Sequence, residues 1–104
     1  MKNDLQIQNL LDRISKNDEK ALQQLFELYG DGLLRFSVSI IKKKELAEEV
    51  VCDVFFQLWL QRKKISSIEN IKAYLFTATK NTTLNYFEKE KRAKFSLLED
   101  ISVT

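Results

Sequence analysis

Histidine and proline are both absent from this 104-residue sequence, cysteine occurs once and glycine twice. Each scarcity removes a class of answer. With no histidine and only Cys52, neither a Cys/His metal centre nor an intrachain disulfide can be assembled. A reducing, cytoplasmic setting fits that cysteine usage. The sequence also has no imidazole general base, no glycine-rich loop to cradle phosphate, and no carboxylate pair apart from a helical acidic face. It therefore reads as a binding module and not an enzyme, with no cofactor and no metal site. No apolar run approaches the roughly 20 residues that a bilayer span needs, and the start, Met1-Lys2-Asn3-Asp4, lacks the apolar core of a signal peptide. A soluble chain without membrane insertion is expected.

What is present is helix-forming. With 44% hydrophobic residues the chain can bury one modest core, and Leu, Glu, Lys, Gln and Ala fill the long stretches. The expected fold is all-α, a compact helical bundle of three main helices plus a short N-terminal helix. Residues 4–15 read as that short helix, with Leu5, Leu10, Leu11 and Ile14 inward. Asn17 or Asp18 then offers an N-cap. Leu22, Leu25, Phe26, Tyr29, Leu33, Phe36 and Ile40 step by three and four without losing phase, so one helix over about 18–41 is expected. Gly30 and Gly32 weaken it, allowing at most a kink near Asp31. Lys42-Lys43-Lys44 would close it and Glu45, Glu48 and Glu49 would open the next, each sign favoured by the helix dipole.

The stretch from Glu45 to Leu60 has two faces at about 100° per residue. Ala47, Val50, Val51, Val54, Phe55 and Leu58 form a core stripe. The opposite side carries Glu45, Glu49 and Asp53 together with Cys52, Phe56 and Leu60, an apolar strip with a carboxylate rim that suits a partner. A helix buried nearly all round is the plainer alternative. After it, Arg62-Lys63-Lys64-Ile65 reads as a basic loop, and Ser66-Ser67-Ile68-Glu69 has capping-box spacing, which places the start of the last helix there. Ile68, Ile71, Leu75, Ala78, Thr82 and Tyr86 form its inner stripe; Lys72, Lys80, Asn81, Thr83, Asn85 and the Lys89–Lys94 end are left polar. Phe76, Leu84 and Phe87 lie among those cations, a mixture that suits single-stranded nucleic acid. A second packing edge beside a solvated charge run is the competing reading. The net charge of only +2 hides this segregation, since residues 45–53 hold four acids and no base.

Two motifs carry a resemblance. Ala47-Glu48-Glu49-Val50-Val51-Cys52-Asp53-Val54-Phe55-Phe56-Gln57-Leu58-Trp59, followed by Ile71-Lys72-Ala73-Tyr74-Leu75-Phe76-Thr77-Ala78-Thr79-Lys80-Asn81, resembles region two of extracytoplasmic-function (ECF) RNA polymerase sigma factors, over about residues 18–94. The resemblance implies that the acidic helix docks on the clamp coiled coil of the core RNA polymerase large subunit through Glu49, Cys52, Asp53, Phe56 and Leu60. It implies recognition and melting of the minus-ten promoter element in transcription initiation. The DNA is held as the non-template single strand by Arg62, Lys63, Lys64, Ile65, Lys72, Lys80, Asn81, Asn85, Lys89 and Arg92. Within that set a base would flip into a pocket made by residues 62–70 and the following helix, with the Asn81 amide pairing to its edge. An anti-sigma factor is the implied regulator. Cys52 stands where the family usually has glutamine, Thr79 where it has alanine, and Ile65 where some members have an aromatic.

On this reading residues 1–94 are the polymerase- and promoter-binding domain and 95–104 a tail or the start of an interdomain linker. The family also has a carboxy-terminal domain for the minus-thirty-five element, which lies beyond this sequence. Two other functions fit parts of the pattern. A helical protein-interaction adaptor would need only the acidic helix, and a small helix-turn-helix DNA binder would use Gly30-Asp31-Gly32 as its turn.

Overall fold

Among the described residues four α-helices, α1 (Lys2–Ser15), α2 (Glu19–Ile41), α3 (Lys44–Leu60) and α4 (Ile71–Val103), with a 3-10 helix at Arg62–Ser67, account for nearly all of the backbone. The computed structural model describes the backbone of residues 2–103 and the side chains of residues 5–99. No strand occurs among the described residues. The all-α bundle of three main helices and a short first one is the fold expected from the sequence.

The turn between α1 and α2 is built from local hydrogen bonds. Asn17 takes the left-handed conformation at φ 72°. Its N–H donates to the Ile14 carbonyl at 2.9 Å and the Asp18 N–H to the Arg13 carbonyl at 3.0 Å, the pair of bonds that closes a helix as a Schellman motif. Asp18 then caps α2, its carboxylate accepting from the N–H groups of Lys20 and Ala21 and from Arg13 Nε at 2.9 Å. The Arg13 hydrogen bond holds the Asp18 carboxyl below its usual range. In α1, Leu10, Leu11 and Ile14 are buried as expected, whereas Leu5 is 75% exposed and Ile7 packs on the core instead.

Helix α2 runs unbroken through Gly30-Asp31-Gly32, so no helix-turn-helix reversal exists there. Both glycines have ordinary helical backbone; a Cβ at Gly30 would crowd the Phe26 ring at 3.3 Å, whereas one at Gly32 would make ordinary contact with Phe76 at 3.6 Å. The buried stripe of α2 is rotated slightly from the expected one, to Ala21, Leu25, Leu33, Ser37 and Ile41. Phe26 is 42% exposed, yet its ring meets Phe55 of α3 edge-on at 5.0 Å. Lys42 ends the helix in the left-handed conformation, φ 62°, donating its N–H to the Val38 carbonyl. Lys44 already belongs to α3.

The core is closed by α4, which packs on both α2 and α3. Its first turn is capped by Asn70, whose Oδ1 accepts from the Ala73 N–H at 3.0 Å. The expected start at Ser66-Ser67 is corrected by the 3-10 helix, which occupies residues 62–67 and drives Ile65 into the core against α1. The α4 stripe also differs: Thr79 and Thr83 are fully buried, where Thr83 was expected outside. The Thr83 hydroxyl donates to the Thr79 carbonyl at 2.6 Å, so its one proton is committed and Ser37 donates to Thr83 Oγ1 across 2.8 Å. The hydroxyl of Thr79 is buried with no hydrogen-bond partner among the described residues.

An orphaned buried hydroxyl costs about 1–3 kcal/mol. Thr79→Val, which keeps the shape and the β-branch, should therefore raise stability by about 1 kcal/mol, a rise in melting temperature of roughly 4–8 °C for a chain of this size. Thr83→Val should act the other way, because it leaves the Ser37 hydroxyl without its acceptor. Thermal unfolding followed by circular dichroism separates the pair, and a lower melting temperature for Thr79→Val would contradict this account.

The end of the chain carries α4 beyond the core. Residues 95–103 are helical, continuing α4, and residues 91–99 are all exposed, including Phe95, Leu97 and Leu98. At about 1.5 Å per residue a 33-residue helix is about 50 Å long, which accounts for most of the 61 Å long dimension.

Candidate functional site

Two faces of the bundle carry the residues singled out above. On α3 the six apolar residues of the core stripe, Ala47, Val50, Val51, Val54, Phe55 and Leu58, are all buried. That leaves Glu49, Cys52, Phe56 and Leu60 exposed on the opposite side, Phe56 and Leu60 by more than half. The alternative of a helix buried nearly all round is thereby excluded. Glu49, Asp53, Phe56 and Leu60 follow one another at four, three and four residues, a strip about 16 Å long. Beside it, Phe56, Leu22, Phe55, Trp59 and Glu19 line a shallow cavity of about 300 Å³, large enough for one side chain of a partner.

Asp53 is the exception on this strip. It is half-buried, and the hydroxyl of Tyr86 on α4 donates to its Oδ2. Hydrogen bonding to Asp53 pushes the Tyr86 phenol up to about 12, with burial and the charges of Asp53, Glu49 and Cys52 acting the same way. The sequence placed Tyr86 on the inner stripe of its helix but gave no partner for its hydroxyl. A tyrosine facing an acidic helix was the available signal.

The second surface is basic and spread over α4 and the 3-10 helix, with Lys72 about 180° round the α4 axis from Asn81. Lys63, Lys64, Lys72, Lys80, Asn81, Asn85, Lys89 and Arg92 are all exposed. By helical spacing Asn81, Asn85 and Arg92 share one strip, and Lys80 stands about 100° round the axis from Asn81. Leu84 and Phe87 are exposed among them, 41% and 43%, whereas Phe76 is half-buried against Phe36 at 5.4 Å. Two expected members do not reach this face freely. Ile65 is only 1% exposed and cannot stack on a base. Arg62 lies over the Trp59 ring at 4.5 Å, donates to the Trp59 carbonyl at 3.0 Å and to Asn17 Oδ1, and so ties the end of α3 to the α1–α2 turn.

The charge run is also partly committed. Glu90 pairs with Lys43 and, at 3.6 Å, with Lys94, and the Lys43 contact holds the Glu90 carboxyl below its usual range. Lys89, Lys91 and Arg92 remain as exposed cations without such a pairing to Glu90. A wider groove of about 1100 Å³ lies between α1, α2 and the start of α4, with Lys72 the only one of the candidate residues on its wall. Among the described residues no cluster of His, Cys, Asp and Glu could hold a metal ion, and no helix is long and apolar enough to cross a membrane.

Comparison with known proteins gives two matches. Residues 25–93 match the family described as Sigma-70 region 2. The chain is also similar to the ECF RNA polymerase sigma factor SigM of Bacillus subtilis (strain 168), 26% identical over 74 residues that cover 69% of this chain and 44% of that protein. The chain thus spans less than half the length of this curated relative. No solved structure matches significantly.

Proposed function

The chain belongs to the Sigma-70 region 2 family, and from that premise we propose that it acts in transcription initiation by docking on core RNA polymerase and reading the minus-ten promoter element. The observation that carries the reading is the pairing of two faces of opposite chemistry. One, on α3, is acidic and apolar; the other, on α4, is basic, amide-bearing and aromatic. Glu49, Cys52, Asp53, Phe56 and Leu60 meet the clamp coiled coil of the polymerase large subunit. Phe56 and Leu60 supply the apolar contact, and the carboxylates select a basic partner and steer its approach.

On the other face Lys63, Lys64, Lys72, Lys80, Lys89 and Arg92 hold the phosphates of the non-template single strand, while Leu84 and Phe87 offer apolar surface to unstacked bases. Asn81, with Asn85 on the same strip, pairs with a base edge. Arg62 acts through the fold, fixing the 3-10 helix that carries Lys63 and Lys64, and Ile65 anchors that helix from inside. Residues 1–94 form the binding unit, and the continuation of α4 from residue 95 begins the connection away from it. The work is binding without catalysis and belongs in the cytoplasm with the polymerase. An anti-sigma factor that covers one of these faces is the expected regulator.

Co-purification tests the reading directly. Tagged chain expressed in a bacterial cell should retain the core polymerase subunits through washing at moderate salt. Their absence, with the tagged chain itself folded and helical, would leave the adaptor function as the better account.

A further inference from the structure

We propose that Tyr86 is a positioning residue for polymerase docking: from α4 its hydroxyl fixes one oxygen of Asp53, so that the carboxylate meets the partner already oriented. The inference rests on the assignment of the α3 face to polymerase. Four acids lie between residues 45 and 53, and three of them, Glu45, Glu48 and Glu49, are exposed. Only Asp53 is half-buried and receives a hydroxyl from another helix. With Oδ2 accepting from Tyr86, Oδ1 remains for a cation of the docked partner.

The chemistry of the donor matters. Helix α4 is rich in lysine, yet the side chain that reaches Asp53 is a neutral phenol. A lysine there would hold the carboxylate equally well but would cancel the charge that a basic partner needs. A phenol orients it and leaves that charge in place, with a charge-assisted hydrogen bond of the stronger kind. An exposed carboxylate gives up rotamer freedom when a partner pins it, whereas Asp53 has given it up in the free protein.

A double-mutant cycle measures this. Affinity for core RNA polymerase is determined for the parent, Tyr86→Phe, Asp53→Ala and the double variant, with circular dichroism melts on each. Tyr86→Phe keeps the ring and removes only the hydroxyl, and should weaken binding roughly threefold to tenfold. In the Asp53→Ala background the same change should have no further effect. A parallel cycle with Glu49→Ala, whose carboxylate has no phenol, should be additive. Equal losses from Tyr86→Phe with and without the Asp53 carboxylate would overturn the inference, as would an affinity that Tyr86→Phe leaves unchanged, or a Tyr86→Phe variant that has lost its helical signal. An Asp53→Ala variant that binds like the parent would overturn the inference as well, and if Phe56→Ala also binds like the parent, the docking assignment on which the inference rests falls with it.

Discussion

Phe56→Ala should weaken binding to core RNA polymerase by about 2 kcal/mol or more, the usual cost of truncating a central aromatic anchor, while the helical fold and its melting temperature stay close to the parent's. Phe56 is 57% exposed and lines the cavity it shares with Leu22 and Trp59, so little of the core depends on it. The residue before it is the control. Phe55 is 5% exposed and its ring meets Phe26, and Phe55→Ala should destabilise the protein itself by about 3–5 kcal/mol. Adjacent phenylalanines thus separate docking from folding. Asp53→Ala should also weaken docking, and more at low salt than at high salt, because its contribution is a charge at the edge of an apolar contact. Equilibrium titration against polymerase, with circular dichroism melts of the same samples, reads both quantities. If Phe56→Ala and Asp53→Ala both bind polymerase as the parent does, α3 does not present the docking face.

The elements most legible in the sequence are those whose local pattern and tertiary environment agree. All six positions assigned to the α3 stripe are buried, because apolar residues at helical spacing have no better place than the core. The continuity of α2 was readable for the same reason: the apolar phase passes through Gly30 and Gly32 unchanged, and a chain reversal would have reset it. Where the reading failed, contacts distant in sequence decide. Ser37 and Thr83 look like surface residues until they are seen to satisfy each other across 46 positions. Ile65 sits in a basic run, and only its packing against α1 makes it core. The start of α4 was read from the capping-box spacing of Ser66-Ser67-Ile68-Glu69, but those serines sit in the 3-10 turn that buries Ile65, and Asn70 caps the helix instead. The 95–103 segment teaches a separate point. Periodicity is lost there because the helix has left the core, not because helix has ended; periodicity reports burial, and nothing in the composition breaks the helix.

On the nucleic-acid face the decisive experiment separates base reading from charge. Asn81 is an exposed amide with both a donor and an acceptor. Asn81→Ala should therefore penalise the correct minus-ten strand more than a scrambled strand, by roughly 1–3 kcal/mol if both groups engage one base. Lys89, Lys91 and Arg92 offer only charge to phosphate, so replacing all three with alanine should weaken every sequence about equally. Each lost phosphate contact should flatten the salt dependence by about 0.7 in logarithmic slope for a single strand. Lys94 is left out of that set because Glu90 already occupies it, and Arg62 because its guanidinium is held by Trp59 and Asn17. The measurement is binding of labelled non-template and scrambled oligonucleotides over a salt series, with the domain alone and again with core polymerase added, since the domain alone binds weakly if polymerase normally presents the strand. The two variants should then fail in different ways, one losing discrimination and keeping its salt slope, the other losing slope and keeping discrimination. An Asn81→Ala variant that loses the same free energy on both strands would mean that its amide positions backbone or fold and selects no base.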